Sequence, residues 1–394
     1  MRRHRVLVIG VGSIGERHLR CFQATGRADV ALAEVDPALR ASVAERYGVS
    51  GGFARLEDAL AAGRPDVAVV ATPAPLHVPM ATALADAGVH VLIEKPLGTR
   101  LEGVDNLQSV IEKRGVTAAV GYVYRAYPLL RAFREEVLGG RFGRPVELVV
   151  VSGQHFPLYR PAYRSIYYND RATGGGAIQD ALTHVINAGE WLVGPVDRLV
   201  ADAAHLVLDG VSVEDTAHVL ARHGGVLASY SLNQHQAPNE ATITLVCERG
   251  TLRCEFHASR WRWAAEPGGG WNDEPVASLT RDEPFILQAN GFLDAVDGIG
   301  PVACTVDEAL QTLRVNLAAA REPGGSRLEG RPERRTRRAM TESPHDHETE
   351  PEPTVGQLFD LTGRVALITG GTGHLGRSMA RPRRGRRVGR GHQP

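Results

Sequence analysis

The segment Gly10-Val11-Gly12-Ser13-Ile14-Gly15 constrains this chain more than any other feature. It follows a short apolar, β-rich run at residues 6–10 and opens a helical stretch at 14–25. In that setting Gly10 permits a tight turn, Gly12 lets the backbone approach a pyrophosphate, and Gly15 lets helix and strand pack closely. The helix N-terminus adds free N–H groups and the positive end of its dipole, both suited to phosphate. An acid, Glu34, closes the second β-like run, with Asp36 two residues on. Such an acid accepts from the ribose hydroxyls of an adenosine and disfavours a 2′-phosphate. The expected cofactor is therefore NAD, with NADP as the alternative because Arg40 lies near in sequence.

The pattern that follows agrees. Apolar β-like runs at 30–35, 66–71, 90–93 and 116–121 alternate with helical runs at 37–47, 78–87 and 101–114. This alternation predicts a parallel sheet covered on both faces, a Rossmann domain over residues 1–122. Beyond Gly121 the rhythm changes. A helix at 128–137 and a strand at 145–153 precede an aromatic, arginine-rich stretch at 155–171 and a helix at 178–192. Strand-like runs follow at 196–208, 216–221, 226–232, 241–247 and 251–256, then helices at 285–296 and 306–320. The expectation is an α/β protein whose second, α+β domain (123–322) carries a large open mixed or antiparallel sheet.

Composition excludes several classes. The 394 residues carry zero formal net charge, so nothing calls for nucleic acid or a membrane surface. No apolar run approaches the ~20 residues of a membrane span, and the basic start runs into glycines too soon for a signal peptide. Cys21, Cys247, Cys254 and Cys304 lack metal-ligand or redox spacing, as expected of reduced thiols in a cytoplasmic protein. Of 45 basic side chains only Lys95 and Lys113 are lysines. Where arginine has replaced lysine almost everywhere, a retained lysine hints at chemistry, because arginine does not release a proton near neutral pH. Lys113 sits in a charged helical tail and reads as a surface residue.

Lys95 belongs to Glu94-Lys95-Pro96, directly after the fourth strand. Ligands of open α/β sheets lie beyond the carboxyl ends of the strands, which puts Lys95 at the cofactor edge. There a lysine polarises a carbonyl or, with its pKa lowered, accepts a hydroxyl proton. A third motif is the glycine run Gly174-Gly175-Gly176 leading to Asp180 and His184. Four apart on a helix, Asp180 and His184 share a face, and an aspartate that orients a histidine tunes it for proton transfer.

Together Gly10–Gly15, Thr72-Pro73, Glu94-Lys95-Pro96, Gly121-Tyr122 with Arg125, and the run to Asp180 and His184 resemble the Gfo/Idh/MocA oxidoreductase family over about residues 5–320. The resemblance implies NAD(P)-linked chemistry on a hydroxyl carbon of a sugar, cyclitol or related polyol, nucleotide-linked and acidic sugars included. It also implies a homodimer or homotetramer joined through the open sheet. Carried over by residue, the catalytic set is Lys95, Asp180 and His184. The cofactor set is Gly10, Gly12, Ser13, Ile14, Gly15, Glu34, Thr72, Pro73, His77, Glu94, Lys95 and Pro96, with a cis peptide before Pro96. His184 is expected to take the hydroxyl proton and Lys95 to stabilise the alkoxide, and these two roles can exchange. No metal is required. Candidate substrate contacts are Tyr122, Arg125, Tyr159, Arg160, Tyr163 and Arg164. The last four lie in the 155–171 stretch with Tyr167 and Tyr168, where a loop packing its aromatics on the sheet is an equal reading. Two other readings stay open: an NAD recycled within one turnover, as in epimerisation or glycoside cleavage, and a non-catalytic dinucleotide-binding regulator.

From Arg321 the composition changes. Residues 323–357 read as a Pro-, Gly- and charge-rich disordered linker. Within it His345-Asp346-His347 lacks a further ligand and is not expected to bind metal. Residues 358–394 hold a second strand–glycine–helix signature, with Gly370, Gly373 and Gly376, similar to the opening of a short-chain dehydrogenase. It breaks off at Arg381-Pro382, and no lysine follows Lys113 to supply that family's Tyr-x-x-x-Lys pair. The expectation is an inactive fragment, with Met340 as the start of a separate protein joined by read-through or frameshift.

Overall fold

In the computed structural model, residues 3–50 and 52–321 are described. The linker, its His345-Asp346-His347 and the short-chain-dehydrogenase-like fragment lie outside them.

The first part alternates as the sequence indicates: β1 (His4–Ile9), α1 (Ser13–Ala24), β2 (Ala28–Ala33), α2 (Pro37–Tyr47), β3 (Gly52–Phe53), α3 (Leu56–Ala62), β4 (Val67–Val70), α4 (His77–Asp86), β5 (His90–Ile93), α5 (Val104–Arg114) and β6 (Ala118–Val120). The strands form a six-stranded sheet, β3-β2-β1-β4-β5-β6, and every pairing is parallel. Local signals set the bounds. Asp36 caps α2 by accepting from the amides of Ala38 and Leu39, Pro37 fixes its first turn, and Gly48 ends it at φ +62°. Val67–Val70 is wholly buried because helices cover both faces. Chain order reverses between β1 and β4, which opens a crevice beyond their carboxyl ends.

The second part contains α6 (Pro128–Leu138), β7 (Pro145–His155), a short α7 (Phe156–Tyr159), a π turn (Ile178–Leu182) that runs into α8 (Thr183–Val193), then β8 (Arg198–Ala204), β9 (Thr216–His223), β10 (Val226–Asn233), β11 (His235–Cys247), β12 (Gly250–Glu255), β13 (Arg260–Ala264), β14 (Asn272–Pro275), α9 (Glu283–Val296) and α10 (Val306–Ala319). The eight strands order as β14-β13-β12-β11-β7-β10-β9-β8. Only β7 and β10 run parallel; the other pairs are antiparallel. Leu148, Val150, Tyr230, Ile243 and Leu245 turn one face toward Phe133, Leu182 and Ile186 in a shared core. The opposite face leaves Val200, Leu220 and Leu227 at 73%, 65% and 53% exposure.

The two domains are not contiguous blocks. Ala289, Phe292 and Leu293 of α9 complete the core around β1, and Ala309, Leu310 and Leu313 of α10 complete that around β4 and β5. Both helices were expected in the second domain alone. All described residues belong to one compact unit.

Candidate active site

A cleft of about 1450 Å³ runs from the glycine-rich turn to the second sheet. Its floor is the β1–α1 turn. A side chain at Gly10 would put its Cβ 2.9 Å from the Ala71 oxygen, and one at Gly15 would lie 1.8 Å from the Gly10 oxygen. Those two glycines are demanded by the protein's own packing. Gly12 is different: a Cβ there meets nothing within 4 Å and points into open space. Its bareness serves no packing need, as expected where a pyrophosphate approaches the backbone. No side chain caps α1 at Gly12, so its first amides are free for an anion. The residues present therefore fit a dinucleotide. The Glu34 carboxylate accepts from the amides of Val11 (2.9 Å) and Asp36 (3.0 Å) while lining the cleft. It props the turn from the cleft side, and Arg40 is occupied by the Glu34 carbonyl oxygen.

The far wall is built at the ends of β4 and β5. His77 is buried and spans two loops, with Nδ1 2.8 Å from the Pro96 oxygen and Nε2 2.8 Å from the Thr72 oxygen. Burial lowers its pKa, and a neutral imidazole has only one N–H for those two carbonyls. It braces the Thr72-Pro73 loop against Pro96, whose peptide bond with Lys95 is cis. Glu94 is buried; its carboxylate takes His18 Nε2 at 2.6 Å and the Lys95 amide at 2.9 Å. Burial pushes the Glu94 carboxyl up, but the bond from His18 and the nearby Lys95 outweigh it and hold it below the usual range.

Lys95 reaches across to the second domain. Its Nζ donates to the backbone oxygen of Asp180 (2.7 Å) and to Asp180 Oδ1 (3.1 Å). The Tyr167 hydroxyl donates to the same Oδ1 at 2.7 Å. Burial raises the Asp180 pKa, yet the charge of Lys95 and the Tyr167 bond hold it below its ordinary value. Two of the three donors of a lysine ammonium are thereby used and one is left for a ligand. Asp180 sits in the π turn, a geometry frequent at functional sites.

One expected relationship differs. Asp180 makes no hydrogen bond to His184, because its carboxylate is turned to Lys95 and Tyr167, and His184 Nδ1 has no hydrogen-bond partner. The π turn changes the spacing on which an i,i+4 pairing depends. Aromatic rings position His184 instead: Tyr124 stacks on it at 5.1 Å and Tyr122 meets it edge-on at 6.1 Å. Burial, and then the charge of Lys95, lowers the His184 pKa to about 3.

Four candidate substrate contacts face elsewhere. Tyr122 is buried and bonds Thr183. Arg125 is 1% exposed and ties Asn187, the Ala303 oxygen and Glu308 together, which makes it a brace between α8 and α10. Tyr163 and Arg164 both donate to the Asp209 oxygen, and Tyr163 packs with Phe156 and Tyr168 in a small separate core. Tyr159 and Arg160 do line the cleft, and Arg160 Nη1 lies 3.2 Å from Ser13 Oγ. Sequence reasoning missed His18, Tyr124, Phe256, which stacks on Tyr124 at 5.0 Å and lines the cleft, and, as a cleft residue, Tyr167. Only His18 had a local signal, three residues past Gly15 on the helix that opens the motif.

Comparison with known proteins agrees with this arrangement. Residues 4–122 match the oxidoreductase family with NAD-binding Rossmann fold, and residues 130–253 match the GFO/IDH/MocA C-terminal domain. The chain is 27% identical to the rhizopine catabolism protein MocA of Rhizobium meliloti, covering 81% of this chain and 95% of that one. It is 28% identical to an inositol 2-dehydrogenase of Corynebacterium glutamicum, over 66% and 76% of the two chains. Levoglucosan dehydrogenase, solved with NADH and levoglucosan, shares the fold at a TM-score of 0.73 and 21% identity, covering 81% and 96%. A parallel sheet with a bare Gly12 at its switch point, a lysine after β5 joined to Pro96 by a cis bond, and matches across both domains have one common account: the chain belongs to the Gfo/Idh/MocA family of NAD-binding oxidoreductases.

Proposed function

We propose that the protein is a dehydrogenase that oxidises a hydroxyl carbon of a sugar, cyclitol or sugar derivative. The observation that carries the reading is the bridge from Lys95 Nζ to Asp180, with one lysine donor left for a substrate oxygen in the same cleft as Gly12. Bound NAD supplies the hydride acceptor. Lys95 donates to the reacting oxygen and stabilises the charge that develops on it. His184, uncharged at neutral pH, offers a lone pair to the leaving hydroxyl proton. Asp180 fixes the lysine, and Tyr167 fixes Asp180. Thr72, Pro73, His77, Glu94 and Pro96 hold the cofactor wall; Gly10, Gly12, Ser13, Ile14 and Gly15 form the phosphate turn. The Glu34 carboxylate favours NAD over a cofactor with a 2′-phosphate. Tyr159 and Arg160 stand at the substrate side.

The exposed face of the eight-stranded sheet, with Val200, Leu220 and Leu227, supports self-association into a homodimer or homotetramer. Four free, buried cysteines support a cytoplasmic setting. The test is NADH formation across inositols, aldoses, anhydrosugars, sugar acids and nucleotide sugars. Turnover with one of these classes is expected; tight NAD binding with no reduction by any of them would overturn the reading.

A further inference from the structure

Beside the glycine turn the cleft carries positive charge that the described residues balance only in part. Arg17, on α1 one turn past Ser13, is 8% exposed and lines the cleft. Its guanidinium lies 5.0 Å over the Phe285 ring, and its Nε makes no hydrogen bond, although it stands 3.3 Å from Asp282 Oδ1. That carboxylate is already held by Arg20 at 2.6 and 2.8 Å. Arg160 reaches the same wall at Ser13, and Arg281, just before α9, makes no hydrogen bond among the described residues. Burial first, then the charges of Arg281, Arg160 and Arg20, lower the Arg17 pKa, so these cations act on one another. Arg17 and Arg20 thus share the Asp282 carboxylate, with Arg281 beside it in sequence and Arg160 at Ser13. A buried arginine among like charges is unfavourable unless an anion joins it.

We propose that Arg17, Arg160 and Arg281 form a subsite for a diphosphate carried by the substrate, so that the sugar presented to Lys95 is nucleotide-linked. Guanidinium forks suit phosphate oxygens, and two cations without an ion pair among the described residues, beside a third that shares its carboxylate with Arg20, suit a group with two or more negative charges. The cofactor's own pyrophosphate has the uncapped amides of α1 and the opening at Gly12. Arg160 and Arg281 come instead from the segments after β7 and β14, and His257, Ser259 and Thr280 of the second domain line the cleft as well. The cleft's size, about 1450 Å³, exceeds the about 300–1,000 Å³ of an ordinary small-ligand pocket, as expected where a substrate larger than a single sugar lies beside a dinucleotide.

The inference rests on the reading of this cleft as an NAD-dependent sugar site, and the test separates the two. Full-length protein saturated with NADH is titrated with uridine diphosphate by calorimetry, as wild type, Arg281→Gln and Arg17→Gln. Arg281 is exposed, so its variant keeps the test alive if loss of the buried Arg17 impairs folding. The expected result is binding of the diphosphate to the NADH-loaded wild type, about tenfold weaker in each variant, with NADH affinity little changed. Weakened NADH binding with no diphosphate bound would assign the arginines to the cofactor's pyrophosphate and overturn the proposal. Diphosphate binding indifferent to both substitutions would overturn it too. Failure of the underlying reading shows separately, as a wild type that does not bind NADH.

Discussion

Lys95 at the end of β5 donates to both the backbone oxygen and the carboxylate of Asp180, at 2.7 and 3.1 Å, and so joins the Rossmann sheet to the π turn of the second domain. The bond fixes where the ammonium sits in the cleft. It also couples the lysine to Tyr167, whose hydroxyl donates to the same aspartate oxygen.

Tyr167→Phe removes that donor and nothing else from the cleft wall. Burial, then the Asp180 charge, raise the Tyr167 pKa well above 10, so its hydroxyl stays protonated and donating throughout the working range. We expect kcat to fall about tenfold, in line with the loss of one hydrogen bond to a charged group, and KM to stay nearly constant. An unchanged kcat would show that Tyr167 does not position Asp180.

Gly12→Ala and Gly15→Ala should separate cofactor binding from folding. At Gly15 a Cβ meets the Gly10 oxygen at 1.8 Å, so the turn must shift and thermal stability should drop by several degrees or the protein fail to fold. At Gly12 the Cβ enters open space and φ is −61°, which suits alanine. That variant should keep its melting temperature and lose NADH affinity, read by fluorescence titration. Equal NADH affinity in Gly12→Ala would contradict the phosphate site.

The pH response of His184 follows from its environment. Burial lowers its pKa to about 3 from the ordinary 6.5. Between those values the unfolded chain binds a proton there that the folded chain does not. This contribution to stability is intact above the ordinary value and is lost as pH falls toward the folded one. His184→Asn should flatten the acid limb of a stability profile by up to about 1.4 kcal/mol per pH unit within that window, measured as urea midpoints. The wild-type kcat/KM profile should show no inflection from His184 near neutrality. An inflection that this substitution removes would contradict the assignment.

Arg125→Met should act on stability alone. It strips partners from Asn187, the Ala303 oxygen and Glu308, none of which lines the cleft. Glu308 is 41% exposed and can rehydrate, so the loss should be about 1–3 kcal/mol, below that of a fully buried pair. A lowered melting temperature with unchanged KM is expected; a large rise in KM would restore Arg125 as a substrate contact.

The fold was legible wherever local chemistry marks an element. Residues 37–47 and 90–93 were bounded correctly because Asp36-Pro37 and Gly48 punctuate the helix and turn residues flank the strand. The short β3, the helix Leu56–Ala62 and the strand Asn272–Pro275 carried no comparable signal; the last is exposed at every residue. Arg260–Ala264 alternates arginine with tryptophan and pairs only because β12 lies beside it. That Lys95, Asp180 and Gly12 would line one cleft was legible because short motifs carry them. The misplacement of Arg125 has a plain cause: its partner Glu308 is 183 residues away, so an arginine that looks available in sequence is neutralised in the fold. The Asp180–His184 relationship was misjudged because nothing local distinguishes a π turn from the α-helix that continues it.

The most direct test is reduction of bound NAD by a sugar substrate in wild type and Lys95→Ala, followed by absorbance alongside NADH titration of both proteins. The alanine variant should bind NADH normally and lose about 10²–10⁴-fold in rate. Full activity without Lys95, or a wild type that binds no dinucleotide, would contradict it.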